Sequence, residues 1–92
     1  MVELNDTVVT GARLLSTEID GEIVMMDVES GKYYNLDPIG SEIWAAMAKP
    51  VAVASLCAEM AARYDATPDV IQTDILSLLD QLADKRLIRV NE

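Results

Sequence analysis

An α+β domain, with a three-stranded antiparallel β-meander ahead of three α-helices, is the fold that the sequence predicts. Three observations carry this. Period-2 patterning runs through residues 12–36 and is broken at two glycine turns. Helical spacing takes over at Asp37-Pro38 and continues across residues 38–86. The chain has 92 residues, enough for one hydrophobic core and too few for two. The expected organisation is therefore a single domain over 1–92, with residues 1–10 as an N-terminal extension.

The first strand spans residues 12–19 and places Leu15, Thr17 and Ile19 on one face, with Leu14, Ser16 and Glu18 on the other. Asp20-Gly21 is a two-residue loop of the kind that joins paired strands, because both positions must accept positive φ. Residues 22–29 alternate again, Val24, Met26 and Val28 against Ile23, Met25 and Asp27. Ser30-Gly31 makes a second tight turn, and Lys32 to Leu36 returns as a third strand rich in β-formers. In a 1-2-3 meander this third strand is a sheet edge, a row of unpaired backbone groups that must be covered or used.

Asp37 is a natural N-cap and Pro38 fits the first helical position, where its missing N–H costs nothing. Ile39, Ile43, Trp44 and Met47 then recur at helical spacing until Lys49-Pro50. A second helix is expected near residues 53–64, burying Leu56, Cys57, Met60, Ala61 and Tyr64. Thr67-Pro68-Asp69 repeats the capping logic for a third helix reaching about Lys85, with Ile71, Ile75, Leu78, Leu79 and Leu82 as its stripe. The tail Leu87-Ile88-Arg89-Val90 is suited to one further strand. Two helices, a longer third helix and a β tail make the pattern winged-helix-like, although the strands here precede the helices.

Composition narrows the function. Seven Lys and Arg stand against 16 Asp and Glu, a net charge of −9. Such a chain repels phosphate and anionic membrane surfaces. The third helix, where a winged-helix protein would read DNA, offers carboxylates and no cation before Lys85. Nucleic acid and membrane are thus excluded as expected partners, and a winged-helix DNA-binding regulator is the weakest reading. There is no His and one Cys, which removes most metal sites, the His-dependent nucleophile systems and any intrachain disulfide. The expectation is a binding protein with no catalytic residues, no metal and no cofactor. The N-terminus has no basic and apolar signal segment, no window is apolar enough to span a bilayer, and a lone Cys suits a reducing cytoplasm. A cytoplasmic protein is expected.

The third-strand edge is the candidate site. An extended peptide adding there would make about five or six backbone hydrogen bonds, each worth about 0.5–1.5 kcal/mol net. Apolar pockets beside the edge would have to supply the remaining affinity. The same edge could pair with its own copy, so a monomer or a weak dimer through the sheet edge is expected.

The stretch from Asp20 to Trp44 resembles the PqqD family. Its pattern, Gly-Lys/Arg-Tyr-Tyr-x-Leu-Asn/Asp-x-x-Gly-x-x-Ile-Trp, is matched at Gly31, Lys32, Tyr33, Tyr34, Leu36, Asp37, Gly40, Ile43 and Trp44. The likeness runs on to about Val90 through Leu79, Leu82, Leu87 and Ile88, with Asp37-Pro38 where Asn is common. It implies a stand-alone recognition element for ribosomally synthesised, post-translationally modified peptides (RiPPs). Such a domain binds the leader segment of a precursor peptide and delivers it to a separate modifying enzyme or leader peptidase, as in lasso peptide biosynthesis. A chaperone for a radical enzyme, as in PQQ biosynthesis, is the alternative. The resemblance also implies where the leader lies: added to the third strand at Lys32, Tyr33, Tyr34, Asn35 and Leu36, against a wall of Ile71, Asp74, Ile75 and Leu78. Gly40, Ile43 and Trp44 fall to folding.

Overall fold

The computed structural model describes residues 1–11 and 14–91. The elements run β1 (Thr7–Thr10), β2 (Leu14–Ile19), β3 (Glu22–Asp27), β4 (Tyr33–Asn35), α1 (Pro38–Ala46), β5 (Val51–Ala52), α2 (Val53–Tyr64), α3 (Pro68–Asp84) and β6 (Ile88–Val90). They form two three-stranded antiparallel sheets, β2-β3-β4 and β5-β1-β6. The first is the expected meander. Its first strand starts at Leu14, and the two residues before it lie outside the described ones.

Register in the meander follows from its turns. Asp20 and Gly21 both hold positive φ, 53° and 82°, which matches the twist of a two-residue hairpin and pairs Ile19 with Glu22. From there Thr17 faces Val24, Ser16 faces Met25 and Leu15 faces Met26. On the other side of β3, Met25 pairs with Tyr34 and Met26 with Tyr33. Directly paired residues share a sheet face. Met25 is therefore buried on the same side as Tyr34, while Tyr33 stands out on the opposite side.

Asp37 caps α1 as expected, its Oδ1 accepting from the Gly40 N–H at 2.6 Å. Ser41, one residue on and buried, ties α1 to the meander. Its Oγ accepts from the Ile23 N–H at 2.7 Å and donates to the Leu36 carbonyl at 3.1 Å. Helix α2 matches the expected span, but Tyr64 at its end is exposed instead of buried. Its stripe ends one turn earlier, at Met60. In α3, Pro68 opens the helix and Thr67 occupies the cap position without a side-chain hydrogen bond. The helix closes at Asp84, so Lys85 is its C-cap residue and not part of its last turn.

The N-terminal residues are more than an extension. Strand β1 lies at the centre of the second sheet, with Val8 paired to both Val51 and Val90 and fully buried. A four-residue strand has too little periodicity to announce itself, and both its partners are distant in sequence. These residues also solve a problem in α2. Ala52 stands at the cap position with no polar side chain, so the first N–H groups of the helix need other acceptors. The Asp6 carbonyl accepts from Val53 at 2.9 Å and the Leu4 carbonyl accepts from Ala54 at 3.0 Å. The expected tail strand is present as β6, held to β1.

The core lies between the meander, the helices and the second sheet. Met25, Met47, Leu56, Met60, Leu79 and Leu87 are its largest fully buried side chains. Cys57 is a reduced, buried member of it, and burial pushes its thiol pKa up.

Candidate functional site

Among the described residues, strand β4 has one partner, β3, and its other edge is open. Two hydrogen bonds fix which backbone groups face that edge. The Asp27 N–H donates to the Lys32 carbonyl at 3.0 Å and the Leu36 N–H donates to the Ile23 carbonyl at 2.9 Å. Residues 32, 34 and 36 therefore point their backbone groups toward β3. By the alternation of an antiparallel ladder, Tyr33 and Asn35 point theirs outward. The open edge offers two N–H donors and two carbonyl acceptors in the described strand. That corrects the five or six bonds expected from the sequence, since only every second residue serves an added strand.

Beside this edge lies a groove, a cavity of about 500 Å³ between β4, α1 and α3. Tyr34, Asn35 and Leu36 form its strand wall, and Ile71, Asp74, Ile75 and Leu78 form its helix wall. The structure thus brings together seven of the nine residues singled out from the sequence. Lys32 and Tyr33 are the exceptions: neither lines the groove, and the Tyr33 side chain, 70% exposed, belongs to the opposite sheet face.

Local geometry explains the shape. Helix α3 packs Ile75, Leu79 and Leu82 into the core, and leaves Ile71 and Leu78 only half buried at its groove-side margin. These positions are three or four residues apart, so they make one continuous apolar ridge. Helix α1 supplies the floor. Ile43 is buried there, whereas Ile39, one turn earlier, remains 46% exposed at the groove mouth. Gly40 permits a close approach at this point: an added Cβ would stand 3.0 Å from the Asp37 Oδ1 that caps the helix and 3.5 Å from Leu36.

Charge is distributed along the groove. Asp74 and Lys85 both line it and are both exposed. At 1.5 Å per residue, eleven residues of helix separate them by about 16 Å, the reach of about five residues of extended peptide. One end carries a carboxylate and the other an ammonium group, with an apolar stretch between.

Several groove residues escape a reading of strand and helix patterns. Met25 and Met60 look like core, and they are core, but they also close the bottom of the cavity. Ile39 carries the signal that could have found it, an isoleucine one turn ahead of a core isoleucine at a helix start. Among the described residues, no three His, Cys, Asp or Glu side chains are grouped to hold a metal ion. No helix of the described residues is long and apolar enough to cross a membrane.

Comparisons with known proteins agree with this architecture. Among curated proteins, none matches the chain. A solved structure described as "TbiB1 in Complex with the TbiA(beta) Leader Peptide" is similar over 88% of this chain and 94% of that one, with a TM-score of 0.79 and 26% sequence identity. The family model described as "Coenzyme PQQ synthesis protein D (PqqD)" matches residues 22–88, from the start of β3 to the start of β6, and so includes the open edge and both walls of the groove. The chain belongs to the PqqD family.

Proposed function

We propose that this protein binds the leader segment of a ribosomally made precursor peptide and catalyses nothing itself. The leader adds as a strand to the open edge of β4 and sets alternate side chains into the groove against α3. The bound precursor is then presented to a separate modifying enzyme or leader peptidase, in a lasso peptide or related RiPP pathway. The observation that carries this reading is the conjunction of an unpaired β4 edge with an apolar groove directly beside it. The similarity to TbiB1, solved with a leader peptide, supports it.

Energetics assign separate roles to edge and groove. Four backbone bonds at about 0.5–1.5 kcal/mol each are largely offset by the cost of ordering a disordered peptide, about 2–5 kcal/mol. The edge therefore fixes direction and register. Affinity comes from apolar side chains entering the groove, about 1.5–3 kcal/mol for each one fully buried. The leader is expected to be apolar at alternate positions, with a basic residue near Asp74.

Calorimetric titration with the leader of the cognate precursor tests the reading, with duplex DNA as the control. Saturable binding of the leader is the expected outcome. Absence of leader binding, or tighter binding of DNA, overturns it. The alternative destination for the same peptide-carrying role is a radical enzyme, in line with a family description that names coenzyme PQQ synthesis.

A further inference from the structure

The outward face of the meander is chemically unlike the solvent-facing side of an ordinary small sheet. Antiparallel sheets covered on one side read apolar inward and polar outward. Here Met25 and Tyr34 face the core, yet the opposite face is also apolar. Leu15 is paired with Met26, Met26 with Tyr33, and Thr17 with Val24, which places these side chains together. Leu15 is 61% exposed, Ile19 56% and Tyr33 70%. A shallow hollow of about 230 Å³ lies between Leu15, Thr17, Val24, Met26 and Tyr33. The leader groove opens elsewhere, between β4 and α3.

The rim of this face is acidic. Glu22 lies on this face, paired with Ile19, with Asp20 at the same turn and Glu29 at the other, and Lys32 is the one cation between residues 14 and 36. Two copies meeting through this face would bring like-charged rims together, on chains that each carry a net charge of −9. A partner with an apolar patch bordered by Lys and Arg gains from apolar burial and from charge.

We infer that the outward face of β2, β3 and β4 is a second docking surface, and that its occupant is a protein with a basic-rimmed apolar patch: the enzyme that acts on the carried peptide. This rests on the leader-carrier reading for the identity of the enzyme, but it has a separate readout. The protein would then hold its peptide on one side and its enzyme on the other.

The test uses the full chain and the modifying enzyme or leader peptidase that acts on the cognate precursor. Two double variants are compared with wild type, Leu15→Thr/Ile19→Thr and Asp20→Asn/Glu22→Lys. All four residues are exposed and lie away from the groove, and threonine keeps the β-propensity of the strand. Enzyme binding is measured by biolayer interferometry at about 0.05 M and about 0.5 M salt, and leader binding by calorimetry in parallel. The threonine variant is expected to lose at least about tenfold in enzyme affinity at both salt concentrations. The lysine variant is expected to lose affinity several-fold at low salt only. Leader affinity stays at the wild-type value in both. Enzyme binding that is absent in wild type, or unchanged in the threonine variant, overturns the inference. So does wild-type self-association in sedimentation velocity that the threonine variant abolishes, since that result identifies a second copy as the occupant. A failure of leader binding with enzyme docking intact would refute the leader-carrier reading and leave this surface standing.

Discussion

Replacing Tyr33 by proline removes one donor from the open edge of β4 and leaves the β3–β4 ladder untouched. The Tyr33 N–H faces outward because Lys32 and Leu36 on either side are the residues bonded to β3. Proline is tolerated on an edge strand at such a position. If the leader adds here, its matching carbonyl loses a partner at a net cost of about 0.5–1.5 kcal/mol. Since 1.4 kcal/mol is tenfold, the lost bond alone weakens binding by about two- to twelve-fold. The proline ring also projects into the space the peptide strand would occupy, so the measured loss should lie at or above the upper end. Calorimetric titration of the leader measures it, with the thermal melt of the variant as a check on folding. Tyr33→Val is the matched control. It keeps the N–H and removes an aromatic ring that points away from the groove, so affinity should stay within about twofold of wild type. The same proline change at Tyr34 breaks a bond to β3 and should lower the melting temperature instead. A folded Tyr33→Pro protein that binds leader as tightly as wild type refutes strand addition at this register.

Other consequences are as specific. Ser41→Ala leaves the half-buried Ile23 N–H without its acceptor, and should cost about 1–3 kcal/mol of stability. At about 4–8 °C per kcal/mol for a domain of this size, a thermal melt resolves it easily. Asp74→Lys should weaken leader binding several-fold at low salt and flatten its salt dependence; equal affinities at low salt would remove Asp74 from recognition. Burial raises the Cys57 thiol pKa, so above the ordinary thiol value of about 8.5 the unfolded chain gives up this proton while the folded one retains it. Its contribution to stability is complete below that pH and is lost as pH rises toward the folded value. Urea midpoints measured from pH 8 to 10 should therefore fall less in Cys57→Ala than in wild type, each relative to its own value at pH 8.

The meander, the three helices and the open edge were legible because each is written locally. A two-residue Asp-Gly loop fixes register, an Asp-Pro pair starts a helix, and three strands in series leave the last one at an edge. What escaped is the part built from contacts distant in sequence. Val8 and Val9 show no period, and only pairing with residues 51 and 88–90 makes them a strand. The direction of each backbone group along β4 was likewise hidden, because alternation fixes it only once one hydrogen bond to β3 is known. Tyr34 and Ile75, read from the sequence as peptide-contacting, stand on the walls of the groove, whereas the residues that close its bottom were not legible. Met25 and Met60 serve core and cavity at once, and a sequence pattern marks only their burial.

The central position of β1 has a kinetic meaning. Its partners lie more than forty residues away on one side and about eighty on the other, so the chain must close two long loops before Val8 is covered. On the ribosome the meander and α1 can assemble while β6 is still unmade. The second sheet then closes last, as the Asn91 side chain accepts from Thr7 and donates to Asp6. A chain halted before residue 88 would hold most of its groove yet expose the valines of β1, and quality control would meet it as an unfinished protein.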